Sequence, residues 1–493
     1  MAYNSRYPVR ELPPQAALAS LLLIGLVAIA YAIITQKLLI AAIIISLPLA
    51  AIILFYGLQA PRFGYLIYAT YAFFFIAIMR YTRITGLSVI LDILLVYMVI
   101  SILFSFLRNK ADIRLTNAVN ILTISYIPWI LFILFQFLNP GIQDEGITKG
   151  IRIIILETFV LYIVSSLLAD KPKTLKIGLI TVGVFVSIAF FKLWWQKHFG
   201  FDYAEREWLV SSDSWRTHII NTGIRYFSIF TDASNFGACM GLITLVYTII
   251  GIHTRNKRLL YYYLAVALMG LIGMFMSGTR GAIIIPIAGT ALYCLLCKNI
   301  KIFATTALIG ILVVSFFSLT NIGEGNAFIR RMRTAFRPTE DASFNVRVEN
   351  RKEVAAYLEK HPWGVGINES IPKLWKRGDI YEEGTLPPDS YYVRIWIQTG
   401  YMGLNLYLAI LVVVLLRCCY IVMFRIKNKE LYHILAAMTC GVFGVWINGY
   451  TGEAMNTAPT SRYSFISIHY ERPLYRQTDY SRKINIKTSN IIS

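Results

Sequence analysis

Arg225 is the first residue whose type and setting suggest chemistry. It lies in a polar stretch, residues 221–237, that leads into a long apolar run, and Ser234 and Asn235 in this stretch are suited to cap the following helix. A helix N-terminus beside an arginine attracts anions, because unpaired backbone N–H groups and the guanidinium both favour negative charge. An arginine that reaches for lipid headgroups gives the same pattern, so this stretch alone leaves both interpretations open.

A second arginine, Arg280, lies in the glycine-containing turn 277–281 between two apolar runs. Glycines allow close backbone approach, and Ser277 or Thr279 could cap the next helix. The planar guanidinium of Arg280 would direct two N–H groups at an anion. A plain hairpin turn with a headgroup-facing arginine is the alternative. Two such arginines at the same membrane face favour the anion site.

A third group of residues follows in a long polar segment. It contains Arg347, Arg351 and the motif His361-Pro-Trp-Gly-Val-Gly, and it ends at Asp389 and Ser390, where the chain becomes apolar again. The two arginines could hold acidic sugars or close over a substrate, although a single charge of this kind is more simply a solvated one. Asp389 could accept a proton as a general base or cap the following helix, and both roles remain open.

The apolar runs that must position these residues predict an all-α polytopic membrane protein. The chain has 493 residues, of which 57% are hydrophobic and 15% charged, with a mean hydropathy of +0.58. A bilayer-spanning helix needs about 20 apolar residues, and a chain in lipid must pair its backbone groups internally. We predict about 12–14 such helices, placed at 16–35, 38–57, 64–79, 88–107, 119–138, 151–169, 176–196, 233–252, 259–276, 281–297, 301–320, 391–416 and 430–449.

The distribution of Lys and Arg predicts the orientation of the helices. These residues concentrate in alternate short loops, such as 108–114, 255–258 and 425–429, which the positive-inside rule assigns to the cytoplasm. Residues 197–232 and 321–390 then lie outside, and the second of these is predicted to be a structured periplasmic loop with an amphipathic helix near 344–360. This helix should stop at His361-Pro362, and its predicted apolar face comprises Phe344, Val346, Val348, Val354, Ala355 and Leu358. The net charge of +20 is scattered over many loops and is therefore not a nucleic-acid signature.

The sequence divides into five regions on this basis. They are N-terminal transmembrane helices (1–196), a transmembrane core with the Arg225 and Arg280 motifs (197–320), the large periplasmic loop (321–390), C-terminal transmembrane helices (391–450) and a polar basic tail (451–493).

Several enzyme and pump classes are disfavoured by missing motifs. The chain has no phosphate-binding loop with a lysine, no dinucleotide fingerprint and no HExxH. It also lacks a paired Asp-x-Asp in an outside loop, which metal-assisted transferases of nucleotide sugars use. We therefore expect no metal and no cofactor, and a substrate that is already activated.

Together the motifs resemble the O-antigen polymerase and O-antigen ligase family of bacterial envelope glycan synthesis. The resemblance covers roughly 215–405 and rests on Arg225 with Asn235, Thr279-Arg280-Gly281, the run 361–366, and the turn Gly400-x-x-Gly403-Leu. It implies a metal-independent inverting glycosyltransferase in the bacterial inner membrane, with its active site facing the periplasm. The implied partners are an undecaprenyl diphosphate-linked glycan donor, a glycan or lipid-linked acceptor, the bilayer and other polysaccharide assembly proteins, but no nucleic acid.

The resemblance also assigns roles to residues. The expected catalytic residues are Asp389, Arg280 and Arg225, and the expected substrate-binding residues are Asn235, Thr279, Arg347, Arg351, His361 and Ser390. Ligases of the family typically carry His-Asn where this chain has Asp389-Ser390, which favours a polymerase. The alternatives are a ligase that joins the glycan to lipid A-core in lipopolysaccharide and, from another class, a flippase of lipid-linked oligosaccharides.

Overall fold

In the part of the chain that the structure describes, the fold is all-α apart from two short β-hairpins. A computed structural model describes residues 54–108, 113–168, 171–220, 223–297, 342–377 and 380–455, with short stretches between 304 and 333 and residues 457 and 460. The helices are α1 (Pro61–Thr82), α2 (Val89–Leu107), α3 (Ile121–Gln136), α4 (Asp144–Leu168), α5 (Pro172–Phe199), α6 (Tyr203–Ser211), α7 (Trp215–His218), α8 (Ala233–His253), α9 (Lys257–Met276), α10 (Ile284–Cys297), α11 (Ala342–Lys360), α12 (Tyr391–Phe424) and α13 (Lys429–Asn448). The antiparallel hairpins are β1 (Ile219–Ile220) with β2 (Gly223–Ile224), and β3 (Pro372–Arg377) with β4 (Ile380–Thr385).

The prediction of an all-α polytopic membrane protein is confirmed. Nine helices in the described part of the chain are long and apolar enough to cross a membrane. The run predicted at 64–79 is longer than expected, because α1 has 22 residues, and this length suits a full crossing. The run predicted at 16–35 lies outside the described residues, as do most of 38–57 and 301–320.

Helices α8 and α13 form the centre of the bundle. The apolar window of each is more than 70% buried, whereas no other candidate span exceeds 44%. Small residues allow the close approach, since a side chain at Gly444 of α13 would overlap the carbonyl of Ile285, and one at Gly289 of α10 would lie 2.7 Å from the carbonyl of Cys440. Packing through small residues is the usual means of association between helices in lipid.

One end of the bundle carries the long loops. Arg80, near the end of α1, donates to the carbonyl of Ser228 at 3.0 Å. Gln136, at the end of α3, donates to the carbonyl of Trp363 at 3.0 Å, so both long loops pack on this end, which we call the loop face. Among the described residues, the two segments predicted to lie outside the membrane therefore share one face.

The long loop contains the amphipathic helix that the sequence predicts, but its buried face differs in part. Helix α11 ends at Lys360, immediately before His361-Pro362 as expected. Val354 and Leu358 are fully buried as predicted, whereas Val346 is 59% exposed. The buried side instead continues through Asn350, which is 6% exposed. The N-terminal half of the inward face is thus polar, a feature that hydrophobic periodicity does not reveal.

The motif at 361–366 anchors the long loop to a kink in α12. Gly400 interrupts this helix with a φ of 65°, which leaves preceding carbonyls without their usual partners. The N–H groups of Val365 and Gly366 donate to the carbonyls of Ile397 at 2.9 Å and Gln398 at 3.2 Å. Unpaired backbone groups are costly in lipid. The motif therefore pairs the carbonyl groups that the kink exposes and fixes the loop at the same time.

Candidate functional site

Arg225 connects the two outer segments that carry the arginine motifs. It follows the β1–β2 hairpin, and its backbone N–H donates to the carbonyl of His218 at 2.7 Å. Its guanidinium donates to the carbonyl of Thr217 at 3.1 Å and to the hydroxyl of Thr279 at 3.0 Å. The Nε atom is buried without a hydrogen-bond partner in the structure. A buried donor of this kind usually has a partner, so one that lacks it suggests a ligand.

The turn 277–281 is held in place from both sides. The hydroxyl of Thr279 donates to the carbonyl of Ala233 at 3.0 Å, at the start of α8. On the other side, the amide of Asn448 donates to the carbonyl of Gly281 at 2.8 Å, and a side chain at Gly281 would lie 2.7 Å from the hydroxyl of Thr451. The position of Arg280 is therefore set by the beginning of α8 and the end of α13.

The caps of α8 and of the 3₁₀ turn at Arg280 differ from the prediction. Asp232, not Ser234 or Asn235, caps α8, with its carboxylate accepting from the backbone N–H groups of both residues. An aspartate accepts two such bonds more strongly than a neutral side chain. The 3₁₀ turn at Arg280 has no side-chain cap, and Ser277 instead accepts from the N–H of Thr279 at 3.1 Å.

Helix α11 brings two further arginines to the segment that follows α13. Arg347 donates to the carbonyl of Thr451 at 2.8 Å, and Arg351 donates to the carbonyl of Tyr450 at 2.9 Å. The guanidinium of Arg351 also lies 4.1 Å from the centre of the Tyr450 ring, and its Nε is buried without a partner. Both arginines thus face the bundle.

The positive charges on the loop face influence one another. Burial lowers the pKa of Arg225, nearby Asp232 raises it, and the neighbouring positive charges of Arg280 and Arg347 lower it further. Arg225 bonds to Thr279, which precedes Arg280, and Arg347 bonds to Thr451, which lies against Gly281. The three arginines therefore come from separate segments to one part of the loop face. We call these three residues the arginine cluster. Like charges held close in a partly buried site disfavour one another and would be stabilised by an anion.

Asp389 is held by Asn350 and does not cap α12. Its Oδ2 atom accepts a hydrogen bond from the Asn350 amide at 2.6 Å, and its φ of 55° lies in the left-handed region. Ser390 is the cap instead, since its hydroxyl accepts from the N–H of Val393 at 3.3 Å. Of the two roles left open by the sequence, the capping role therefore belongs to Ser390.

Asn235 and His361, two of the predicted substrate-binding residues, have other contacts. The carbonyl oxygen of the Asn235 side chain accepts from the Thr460 hydroxyl at 2.6 Å, and its amide donates to Thr231. His361 is exposed, stacks on Tyr357 with ring centroids 4.4 Å apart, and contacts the carbonyl of the same residue at 3.1 Å. The structure does not bring His361 into contact with the arginine cluster.

Sequence reasoning missed the segment 449–455, which follows α13 and borders the site. Besides accepting from Arg347 and Arg351, this segment carries Glu453, which forms an ion pair with Arg394 of α12. The sequence instead predicts a polar basic tail from residue 451 onward. The one available signal was an acidic residue directly after the last apolar run, in a stretch otherwise rich in basic residues.

A buried ionic network supports the loop that carries Arg225. Arg80 is 7% exposed and lies 4.4 Å from the centre of the Trp208 ring. Glu205, which is fully buried, accepts from Gln196 at 2.7 Å and pairs with Lys192 at 3.0 Å. Removing one partner of a buried network costs several kcal/mol, so these groups fix the position of the loop.

Comparison with known proteins finds a family similarity in the second half of the chain. No curated protein matches the chain. Residues 264–408 match the family model described as O-antigen ligase, a range that includes Arg280, Arg347 and Asp389. Members of this family are enzymes that act on glycans, and Arg225 and Glu453 lie outside the matched range. Residues 264–408 are therefore similar to the O-antigen ligase family, in agreement with the resemblance that the sequence motifs indicate.

Proposed function

We propose that this protein is a glycosyltransferase of the bacterial inner membrane that polymerises glycan repeat units at the periplasmic face. Its donor is a glycan carried on undecaprenyl diphosphate, and its acceptor is a hydroxyl group of a second lipid-linked glycan. The proposal takes the loop face to be periplasmic, in agreement with the concentration of Lys and Arg in the loops at the opposite end.

The arginine cluster is the observation that carries this proposal. Three guanidinium groups from different segments lie together, and the Nε atom of Arg225 is buried without a partner. A diphosphate at the membrane surface supplies the negative charge that such a cluster needs. Arginine suits this task because its planar donors match phosphate oxygens in pairs.

The proposed reaction is a single inverting displacement without a metal ion. The acceptor oxygen attacks the anomeric carbon from the face opposite the diphosphate, and the bond between that carbon and the phosphate oxygen breaks with its electron pair going to the diphosphate. Arg225 and Arg280 stabilise the charge that develops on this leaving group. The carboxylate of Asp389, oriented by Asn350, takes the proton of the acceptor hydroxyl.

The aspartate at position 389 favours a polymerase over a ligase, because ligases of the family typically have a histidine there. A ligase that transfers the glycan to lipid A-core would use the same donor site and remains the alternative. A flippase is less well supported. Ionisable residues deep in the membrane are expected of transporters, and Asp92 and Glu157 are both paired with Arg152, at 2.6 and 3.3 Å.

The glycan profile of a deletion strain separates these functions. Loss of the polysaccharide ladder, with a single repeat unit still transferred, identifies a polymerase. Accumulation of lipid-linked polymer at the periplasmic face identifies a ligase, and accumulation of lipid-linked oligosaccharide on the cytoplasmic side identifies a flippase. An unchanged profile of every surface glycan would contradict the proposal. The wild-type gene should restore the profile, whereas an Arg280→Ala variant made at normal levels should not. This contrast ties the result to this site.

A further inference from the structure

A cavity with both polar and apolar walls lies between helices α3, α4 and α12. Its volume is about 160 Å³, room for roughly five water molecules, whereas sites for larger organic ligands usually exceed several hundred Å³. Its lining includes Glu157 and Thr158 of α4 and Arg394 and Gln398 of α12. A cavity with this many polar groups is unsuited to a lipid chain.

The wall of the cavity on α4 has an unusual backbone. Residues 151–160 form a π-helix within α4. Such stretches are rare and frequently mark functional sites. Both Glu157 and Thr158 lie in this stretch and line the cavity. The carboxylate of Glu157 has a side-chain exposure of 17% and lies 3.3 Å from a guanidinium nitrogen of Arg152.

Aromatic rings make up much of the remaining wall. Trp129 and Tyr407 lie with ring centroids 5.1 Å apart, and Tyr126 and Tyr162 lie 5.3 Å apart. All four line the cavity. Aromatic faces beside carboxylate, amide and guanidinium groups match a sugar ring, which presents apolar C–H faces and hydroxyl groups on its edge.

The cavity is connected to the arginine cluster through the segment 449–455. Met455 lines the cavity, and Glu453 forms an ion pair with Arg394, whose Nε is buried without a partner. The same segment accepts hydrogen bonds from Arg347 and Arg351 at Thr451 and Tyr450. The cavity and the arginine cluster thus contact the same few residues of chain.

We propose that this cavity binds one sugar ring of the acceptor glycan. The assignment of this ring to the acceptor rests on the proposed function, whereas the binding of a sugar rests on the cavity alone. In this arrangement the arginine cluster holds the donor diphosphate. Glu157 and Gln398 hold hydroxyl groups of the acceptor ring, and the aromatic side chains pack on its faces.

Filling the cavity tests the proposal. Wild-type protein and Thr158→Trp are placed in lipid nanodiscs, and binding of methyl glycosides of hexoses and N-acetylhexosamines is measured by saturation-transfer NMR. The matched control is Thr148→Trp, the same substitution at an exposed position of α4 that does not line the cavity. We expect wild type and control to bind at least one glycoside, and Thr158→Trp to lose at least ten-fold in affinity.

A second pair of variants keeps the test valid if Thr158→Trp does not fold. Glu157→Gln preserves shape and removes one charge, and Glu359→Gln makes the same change at an exposed position of α11 that does not line the cavity. We expect Glu157→Gln to weaken glycoside binding and to raise the KM for the acceptor at least five-fold, with the KM for the donor unchanged. The control should match wild type in both measurements.

The outcomes separate this inference from the proposed function. Equal glycoside binding by all variants, or no binding by the wild type, would overturn the sugar site. Glycoside binding that depends on Glu157, in a protein that does not turn over any diphosphate-linked donor, would support the sugar site and reject the glycosyltransferase. A raised donor KM in Glu157→Gln would overturn the assignment of the cavity to the acceptor.

Discussion

Asp389 combines a strained backbone with a hydrogen bond that orients its carboxylate. A φ of 55° is unfavourable for most residues by about 1–2 kcal/mol, though Asp and Asn tolerate it better. Since Ser390 caps α12, the shape and charge of Asp389 are not required for that helix. The carboxylate is therefore not committed to that cap, as its proposed role as the base requires.

Asp389→Asn separates the charge of this residue from its shape. We expect Asp389→Asn to fold with a wild-type melting temperature and to lose nearly all transfer activity, because an amide cannot take the proton. Asp389→Gly, which relieves the backbone but removes the acceptor of the buried Asn350 amide, should be equally inactive. Ser390→Ala provides the contrast in stability, since loss of a cap costs about 1 kcal/mol. Normal polymer from Asp389→Asn would end the role of this residue as the base.

The two-pronged contact of Arg225 predicts that lysine cannot replace it. Its guanidinium reaches Thr217 and Thr279 simultaneously, and an ammonium group cannot span both. We expect Arg225→Lys to reduce kcat/KM for the donor at least ten-fold. The control is Arg83→Lys, an exposed arginine that pairs with Glu207 near the loop face, where surface pairs contribute little. Similar kinetics for the two variants would contradict the role of Arg225.

At the scale of elements, Gly400 sets the angle of α12 and the position at which the long loop packs on this helix. A side chain there would overlap the carbonyl of Pro362, in addition to facing an unfavourable φ of 65°. We expect Gly400→Ala to lower the melting temperature far more than Gly200→Ala. Gly200 has a similar φ of 81° but no neighbouring atom within 4 Å. Equal losses in the two variants would show that the loop does not depend on this contact.

At the scale of elements, the sequence predicts helices well and their packing less well. The bounds of α11 agree with the predicted 344–360 within two residues, and the stop at His361-Pro362 is correct. Local chemistry determines both features. The inward position of Asn350 and the contact between 361–366 and Gly400 depend on distant parts of the chain. No local pattern encodes them.

At the scale of the whole molecule, four regions of the sequence meet at the loop face and form the candidate site. The motifs near 225 and 280 are identifiable from residue type, because arginines beside small polar residues are unusual at the ends of apolar runs. Arg347 and Asp389 are less distinctive, since a solvated charge and a helix cap explain them equally well. Their convergence depends on helix packing and could be expected only from the family resemblance. The segment 449–455 escaped notice because its carbonyl groups, and not its side chains, contact Arg347 and Arg351.

Membrane orientation provides a prediction for the whole molecule. Single cysteines at Ser212 and Ser370, both exposed on the long loops, should react with an impermeant thiol reagent in cells with a permeable outer membrane. A cysteine at Lys427, exposed in the short connection between α12 and α13, should react only after lysis. Each is introduced with Cys297 and Cys419 replaced, since these two native cysteines are only partly buried. Labelling of position 427 before lysis would reverse the proposed orientation.

The central claim is that the arginine cluster, without a metal ion, stabilises the departing diphosphate. The most direct measurement is the rate at which purified protein in nanodiscs releases undecaprenyl diphosphate from a lipid-linked glycan, in excess chelator, for wild type and Arg280→Ala. We predict full wild-type activity in chelator. Arg280→Ala should lose about 2–4 kcal/mol of transition-state stabilisation, or roughly 30- to 1,000-fold in rate. Wild-type rates from a well-folded Arg280→Ala protein, or complete loss of wild-type activity in chelator, would contradict the account.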